Sequence, residues 1–312
     1  MKATDRAIDR RMFLSCSAAA AAGALLAAAS PALGAPRPRA ARTLRKAVGL
    51  GMVDEGKSVL EKFALLRELG FEGVEVDRPS DVPLDLLLAA QEKTGLRVHG
   101  VVDSVHWGRP LNHPDPAVRK AGIDGLVAAL RDAKALGSVS ILLVPAVVNA
   151  KLPYDEAWKR SQSAIKEVLP LAAELEVTIA VENVWNQFLL SPLEAARYVD
   201  ELASPFAKFH FDVGNVVNYG WPEQWIRVLG PRIVKLHIKD YSRKRRDGEG
   251  LWKGFEVELG EGDANYAEVM KALDEVGFST APGGNWATAE VGGGDHARLR
   301  QISEQMDRLF AL

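Results

Sequence analysis

Four residues whose side chains can bind a cation lie at the ends of four apolar segments in the second half of the chain. They are Glu182, Asp212, His237 and Glu290. The first two intervals each match one strand and one helix with their loops, and the third is one such unit plus a long loop. Three carboxylates at one place repel one another unless a cation is bound. An oxygen-rich donor set with one imidazole suits Mn²⁺, Mg²⁺ or Co²⁺, so these residue types predict a site for one divalent ion.

The elements that must position these residues alternate between strand and helix from residue 46 to the C-terminus. Each short apolar run is followed by a longer amphipathic segment, such as 118–136 and 154–175. Strictly alternating elements pair in parallel, because each crossover needs a dozen or more residues. Eight such units are typical of a (β/α)8 TIM barrel, whose usual length is about 250 residues. The predicted strands are residues 47–52, 73–76, 96–102, 139–144, 178–182, 207–212, 233–238 and 286–291.

A doubly wound open sheet is the alternative arrangement of the same α/β elements. It is not favoured, because Gly49-Leu50-Gly51 does not continue into the Gly-x-Gly-x-x-Gly that such folds carry after the first strand. In a barrel, the carboxyl ends of all strands meet at one mouth, where the active sites of this fold lie. The four cation-binding residues would then face a common centre.

From about residue 47 to the C-terminus, the chain resembles the xylose isomerase-like TIM barrel superfamily, often labelled sugar phosphate isomerase/epimerase. The layout is similar to that of ketose 3-epimerases, hydroxypyruvate isomerases and inosose dehydratases. Members bind one divalent ion through Glu, Asp, His and Glu at the ends of strands five to eight. The resemblance therefore implies Glu182, Asp212, His237 and Glu290 as metal ligands. In the 3-epimerases the two glutamates also move the proton, which implies Glu182 and Glu290 as the catalytic pair.

The resemblance also bears on the residues that contact substrate. An Arg six residues after the ligand His contacts substrate in the family, and Arg243 has this spacing from His237. Many relatives carry a His three residues after the ligand Asp, where this chain has Asn215.

Aromatic and polar side chains beside the predicted mouth are further candidates. His106 and Trp107 lie just past strand three, Trp185 closely follows Glu182, and Lys239 shares a strand face with His237. Each has a structural alternative, which is a packed core position or a solvated loop. We predict substrate contacts for His106, Trp107, Trp185, Asn215, Lys239 and Arg243.

Together, the cation site and the two glutamates predict an enzyme that removes a proton next to a sugar carbonyl. A bound divalent ion stabilises the charge of the enediolate as a Lewis acid, and a glutamate within hydrogen-bond reach takes the proton. Return of the proton to the opposite face gives epimerisation, and its return to the neighbouring carbon gives isomerisation. Loss of a β-substituent after the same first step makes a lyase or dehydratase of keto-sugars or 3-keto-glycosides the alternative.

Two other classes of protein use this fold. A non-catalytic periplasmic sugar-binding barrel would not need the intact set of four ligands. A nuclease similar to endonuclease IV needs more strand-end histidines than the six His of this chain provide, and a net charge of −2 supplies no basic field for nucleic acid. We therefore predict a small carbohydrate as partner and no nucleic acid. Mn²⁺ is the expected cofactor, with Mg²⁺, Co²⁺ or Zn²⁺ as alternatives, and a homo-oligomer is left open.

The first 35 residues differ from the rest of the chain. Arg10 and Arg11 precede Met-Phe-Leu, an Ala-rich apolar run and then small residues. This order is typical of an export signal, and Arg-Arg-x-Phe-Leu resembles the twin-arginine type. The apolar run is short and weakly apolar against the roughly 20 residues that a membrane span needs.

We therefore predict a signal peptide over residues 1–35, a polar linker over 36–45 and the barrel over 46–312. The mature protein would be periplasmic, without a stable membrane anchor. It would contain no cysteine, because the single Cys16 lies in the signal, and this suits an oxidising compartment.

Overall fold

The computed structural model describes residues 42–280 and 285–312, and the strands in them form one closed barrel. These strands are β1 (Arg45–Gly49), β2 (Gly73–Arg78), β3 (Arg97–Asp103), β4 (Ser140–Leu143), β5 (Thr178–Glu182), β6 (Ala207–Asp212), β7 (Ile233–Ile238) and β8 (Trp286–Ala289). Each strand pairs in parallel with the next along the chain, and β8 pairs with β1. The predicted (β/α)8 barrel is therefore confirmed.

Helices connect the strands on the outside of the barrel. They are α1 (Val59–Glu68), α2 (Leu84–Thr94), α3 (Pro116–Leu136), α4 (Tyr154–Leu175), α5 (Pro192–Glu201), α6 (Pro222–Leu229), α7 (Arg243–Glu249), α8 (Tyr266–Glu275) and α9 (His296–Phe310). Ser58 and Glu61 form a reciprocal capping box that starts α1. Gly137 ends α3 with a φ of 74°, a left-handed conformation that glycine adopts without strain.

The apolar core lies between the barrel and its helices. Phe63 and Leu66 of α1 and Leu126 and Leu130 of α3 are fully buried, as is Phe209 of β6. This layer is what a parallel barrel needs, because each amphipathic helix must bury its apolar stripe against the strands. This packing fixes the position of each strand, and with it the strand ends that carry the predicted cation ligands.

At β1 the strand boundary differs from the prediction. The first strand was predicted over residues 47–52, whereas β1 covers Arg45–Gly49 and a 3₁₀ turn follows at Leu50–Met52. Two glycines, Gly49 and Gly51, lie in this segment and weaken a strand because they have no side chains to pack. The chain therefore leaves the sheet early and turns across the barrel mouth.

The long connection after β7 contains structure of its own. It holds α7 and a 3₁₀ turn at Leu251–Phe255 before α8 begins. The buried Asp240 carboxylate accepts hydrogen bonds from the backbone N–H groups of Tyr241, Gly260, Gly262 and Ala264, at 2.8–3.1 Å. One carboxylate thus ties both ends of the connection to the barrel mouth.

The predicted export signal and most of the predicted linker lie outside the described residues. From Arg42 onward the chain is attached to the barrel, because the Arg42 guanidinium donates to both carboxylate oxygens of Asp274 at 2.8 and 2.9 Å. Arg45 already belongs to β1, inside the segment predicted as linker. In the part of the chain that the structure describes, no helix combines the length and apolar character needed to cross a membrane.

Candidate active site

The four predicted cation ligands come together at the carboxyl ends of β5 to β8. Glu182 and Asp212 are the last residues of their strands, His237 is next to last in β7, and Glu290 directly follows β8. His237 Nδ1 lies 2.8 Å from Glu182 Oε1, 3.3 Å from Glu290 Oε2 and 3.9 Å from Asp212 Oδ2. One ligand atom from each residue lies within 4.8 Å of the others. Glu182, Asp212 and His237 are buried, and Glu290 is exposed to the mouth.

The electrostatics of this quartet are dominated by buried negative charge. Burial raises the pKa of Asp212 to about 7, and the neighbouring Glu290 and Glu182 act in the same direction against the opposing effect of Lys239. The Lys239 ammonium lies 2.9 Å from Asp212 Oδ2 and 2.5 Å from Glu290 Oε2. Although burial disfavours the charged ammonium, these carboxylates raise the pKa of Lys239 well above its usual value.

A divalent cation fits this donor set. The site offers three carboxylates and one imidazole, and Asp212 Oδ2 is buried without a hydrogen bond of good geometry. Buried carboxylates are costly unless positive charge offsets them, and Lys239 supplies one charge against the three carboxylates of the quartet. Hard oxygen donors with a single imidazole suit Mn²⁺, Mg²⁺ and Co²⁺, and Zn²⁺ also binds carboxylates and imidazoles.

Glu75 of β2 approaches the quartet from inside the barrel. Its Oε2 lies 2.8 Å from Nε2 of His237, on the opposite side of the ring from the three carboxylates. Burial alone would favour the neutral acid, but the proximity of His237 lowers the pKa of Glu75. An ionised Glu75 accepts a hydrogen bond from the Nε2–H of His237, which leaves Nδ1 facing the three carboxylates. Such a carboxylate–histidine contact is the usual way in which a ligand imidazole is oriented.

The space beneath Glu75 is polar and closely packed. Gly100 of β3 leaves room there, because a Cβ at this position would lie 2.5 Å from Glu75 Oε1 and 2.7 Å from Lys235 Nζ. The buried Lys235 ammonium donates to the backbone carbonyl of His99. The ring of His99 stacks on Trp286 at 4.4 Å. The barrel interior below the quartet is therefore filled and holds Glu75 in place.

Glu75→Gln is expected to lower the affinity for Mn²⁺ about 10–100-fold, the range typical when the partner of a ligand His is changed. The amide keeps the shape of Glu75 but lacks the charge that fixes the proton on Nε2 of His237. The measurement is calorimetric titration with Mn²⁺, together with a ¹⁵N titration of the His237 ring in the metal-free protein. Although burial opposes the charged ring, Glu290, Glu182 and Glu75 raise the pKa of His237 well above its usual value, so this pKa should fall in Glu75→Gln. Glu72→Gln is the matched control, because Glu72 lies just before the same strand and is exposed. Unchanged affinity and an unchanged His237 pKa in Glu75→Gln would contradict this role.

Two adjoining cavities open at the mouth. The first, of about 270 Å³, lies over the quartet and is lined by Glu182, His237 and Glu290 together with Glu75. The second, of about 490 Å³, lies beside it and includes Lys239. Trp107, Val184 and Glu290 line both cavities, so the two adjoin at these residues.

Five of the six predicted substrate residues line these cavities. His106 lines the first cavity, Trp107 lines both, and Trp185, Asn215 and Lys239 line the second. His106 is buried, and its Nδ1 accepts a hydrogen bond from the Val144 N–H at 3.3 Å. Burial lowers the pKa of His106 to about 4. The neutral ring therefore carries its proton on Nε2 and can donate to a ligand oxygen.

Arg243 lies outside both cavities. As the first residue of α7, it extends toward the loop after β6, where Nε donates to the Val217 carbonyl at 3.0 Å and Nη2 to the Gly220 carbonyl at 2.8 Å. Its guanidinium also lies 5.5 Å from the centre of the Trp221 ring. The guanidinium therefore connects the start of α7 to the loop after β6.

Sequence reasoning missed two of the aromatic residues that line the second cavity. Trp252 and Phe255 lie in the 3₁₀ turn of the long connection after β7, and both line this cavity. The available signal was a Trp within the long loop that follows His237, at the carboxyl end of a barrel strand.

Comparison with known proteins identifies a protein family and sequence relatives that match this chain. The family described as "Xylose isomerase-like TIM barrel" matches residues 63–311. The L-ribulose-5-phosphate 3-epimerase UlaE of Salmonella heidelberg (strain SL476) is 28% identical over 251 residues, which cover 75% of this chain and 86% of that protein. The homologous enzyme of Escherichia coli (strain SMS-3-5 / SECEC) has the same identity and coverage.

Solved structures share the fold at low sequence identity. An L-ribulose 3-epimerase superimposes with a TM-score of 0.69 at 17% identity, covering 87% of this chain and 95% of that one. The 3-keto-D-glucoside 4-epimerase YcjR of E. coli gives a TM-score of 0.69 at 15% identity, covering 87% of this chain and 100% of that one. Because the family match extends over most of the barrel, this chain belongs to the xylose isomerase-like TIM barrel family.

Proposed function

We propose that this protein is a divalent-metal-dependent sugar epimerase or isomerase that removes a proton next to a carbonyl. The observation that carries the proposal is that Glu182 and Glu290 both lie within 3.3 Å of His237 Nδ1 and line the same cavity. The curated relatives are sugar epimerases, which supports the same reaction class. Glu182, Asp212, His237 and Glu290 would hold the cation, which when bound supplies a Lewis acid next to the substrate oxygens.

The two glutamates are suited to exchange one proton with a substrate carbon. Burial raises the pKa of Glu182. Burial has the same tendency at Glu290, but the nearby His237 and Lys239 outweigh it and lower the pKa of that carboxyl. Two acids whose environments push their pKa values apart can divide the roles of acid and base.

In one direction Glu290 takes the proton from carbon, and the C–H electron pair moves into the enediolate. Glu182 then returns a proton to the opposite face, and the reverse reaction exchanges the two roles. His106 donates its Nε2 proton to a hydroxyl or carbonyl oxygen in the same cavity.

The test is proton exchange followed by NMR in D₂O with Mn²⁺-loaded enzyme and a panel of ketoses, their phosphates and 3-keto-glycosides. Deuterium at one carbon with an epimeric or isomeric product supports the proposal. Deuterium with loss of a β-substituent would instead assign the lyase or dehydratase reaction. Binding of a sugar without any exchange would indicate a non-catalytic sugar-binding barrel.

We propose Mn²⁺ as the resident cation. The support is the donor set of three carboxylates and one imidazole, which is richer in oxygen than most zinc sites. The test is elemental analysis of protein purified without added metal, followed by reloading with Mn²⁺, Mg²⁺, Co²⁺ or Zn²⁺ and measurement of exchange. Full exchange activity with Mg²⁺ alone, and none with Mn²⁺, would overturn this assignment.

We also propose that the protein is exported by the twin-arginine route to the periplasm, on the strength of Arg10 and Arg11 ahead of the apolar run. The double substitution Arg10→Lys and Arg11→Lys is expected to retain the protein in the cytoplasm. Cell fractionation and N-terminal sequencing are the measurements, and the mature chain should begin near Ala35 or Pro36. Recovery of periplasmic protein that still begins at Met1 would contradict the proposal.

A further inference from the structure

The second cavity is walled on one side by three aromatic rings. Trp185, Trp252 and Phe255, here called the aromatic platform, all line this cavity. The Trp185 ring centre lies 4.8 Å from that of Trp252 and 4.9 Å from that of Phe255. Trp107 lies on the wall that this cavity shares with the cavity over the quartet. A ligand that extends from the quartet past these shared residues therefore meets the aromatic platform.

The platform is held in place by contacts from below. Trp185 Nε1 donates to the Asn215 carbonyl at 2.8 Å, which fixes the plane of the indole. The buried Tyr241 ring packs against Phe255 at 4.8 Å, and its hydroxyl donates to the Leu251 carbonyl at 2.8 Å. Gly254 is needed for this approach, because a Cβ there would lie 2.3 Å from the Tyr241 ring. The rings thus form a prepared surface.

The outer rings of this cavity are exposed. Trp252 is 67% exposed and Trp107 51% exposed. Large aromatic side chains that are fixed in position and exposed beside a polar site are typical of a ligand-binding surface. The apolar faces of sugar rings pack on such aromatic faces, while their hydroxyls bond to polar groups around the ring, and Asn215 lies among the residues that line this cavity.

The charges around both cavities disfavour a phosphate. Among the described lining residues, the basic side chains are His106, His237 and Lys239. Lys239 is held by Asp212 and Glu290, and neutral His106 carries no charge. Outside the quartet, the acidic lining residues are Glu75, Asp77 and Asp240, and the basic ones are His106 and Lys239. Since phosphate groups are bound by available Lys, Arg or backbone N–H donors, this lining fits a neutral ligand.

We propose that the substrate is a neutral glycoside with a keto group on one sugar ring, whose second sugar ring stacks on the aromatic platform. This inference rests on the proposed function, because the keto ring must lie over the quartet. It differs from the curated relatives, whose names specify a phosphorylated pentulose. A monosaccharide would use only the smaller cavity and leave the platform uncovered.

The test compares ligands that differ only in the second ring. Binding of maltose, cellobiose, sucrose and trehalose is measured by tryptophan fluorescence against methyl α- and β-D-glucoside and glucose 6-phosphate. At least one disaccharide is expected to bind about tenfold more tightly than the methyl glucosides, and glucose 6-phosphate no more tightly than they do. Trp252→Ala should remove the difference. Trp221→Ala should keep it, because Trp221 is 55% exposed and lines neither cavity.

Equal binding of all the glycosides by the wild type would overturn the proposal, and so would a preference that survives in Trp252→Ala. Deuterium exchange with the 3-keto derivatives of the same disaccharides and methyl glucosides separates this result from the proposed function. If the platform acts as inferred, Trp252→Ala raises the KM of the keto-disaccharide about tenfold, and Trp221→Ala leaves that KM unchanged. If no substrate shows deuterium exchange, the proposed function is contradicted. The inference about the platform is not, because the binding comparison does not depend on turnover.

Discussion

Replacing Glu182 or Glu290 with Gln is expected to lower turnover at least about 10²–10⁴-fold, the contribution of a positioned acid or base. Gln keeps the size of the side chain and one carbonyl oxygen that can face a cation, but it cannot accept a proton as a base. Each variant should therefore still bind Mn²⁺, more weakly than the wild type. The measurement is the rate of deuterium incorporation and product formation with the best substrate from the exchange panel, at saturating Mn²⁺.

The two variants should also differ from each other. If each glutamate serves one face of the carbon, Glu290→Gln and Glu182→Gln should each exchange the proton of one epimer only, while interconversion stops in both. Glu72→Gln, which changes an exposed glutamate just before β2, serves as the control and should retain full turnover. Turnover near that of the wild type in either site variant would leave that glutamate as a cation ligand without a role in proton transfer.

Much of the fold was predictable because each element carries its own local signal. The amphipathic pattern predicted the helix at 154–175, where α4 lies, and the apolar runs at 178–182, 207–212 and 233–238 match β5, β6 and β7. In a parallel barrel the pairing of these strands follows from their order along the chain, since each strand pairs with the next. The convergence of the four cation-binding residues at one mouth follows from that topology.

What the sequence did not reveal are contacts between distant parts of the chain. Glu75 and His237 are separated by most of the barrel in sequence, and only the closed sheet places them 2.8 Å apart. The direction of the Arg243 side chain was not readable for a similar reason, because its spacing from His237 does not reveal that α7 begins there and turns it toward Gly220. The position of Trp252 depends on how the long connection after β7 folds. That segment shows no hydrophobic periodicity from which its structure could be predicted.

His237→Ala is expected to reduce the affinity for Mn²⁺ by well over roughly 100-fold. Changing a residue that only hydrogen-bonds to a metal ligand costs up to roughly 100-fold, and this substitution removes the ligand itself. His237 is the residue that joins the cluster, with Nδ1 facing Glu182 and Glu290 and Nε2 facing Glu75. Removing the ring leaves these carboxylates without their shared partner. The affinity for other divalent cations should therefore fall as well. Elemental analysis and calorimetric titration with Mn²⁺ are the measurements.

The barrel should survive this change, because the quartet lies at the mouth, apart from the apolar layer that packs the helices on the strands. Circular dichroism should therefore match that of His296→Ala, a control in which a partly exposed histidine of α9 is removed and cation binding is retained. Asp212→Asn offers a second variant with almost unchanged shape, and it should also lose cation affinity because its buried Oδ2 becomes neutral or is replaced by an amide nitrogen. If both His237→Ala and Asp212→Asn bind Mn²⁺ like the wild type, the cation lies elsewhere. The two glutamates would then have to work without it.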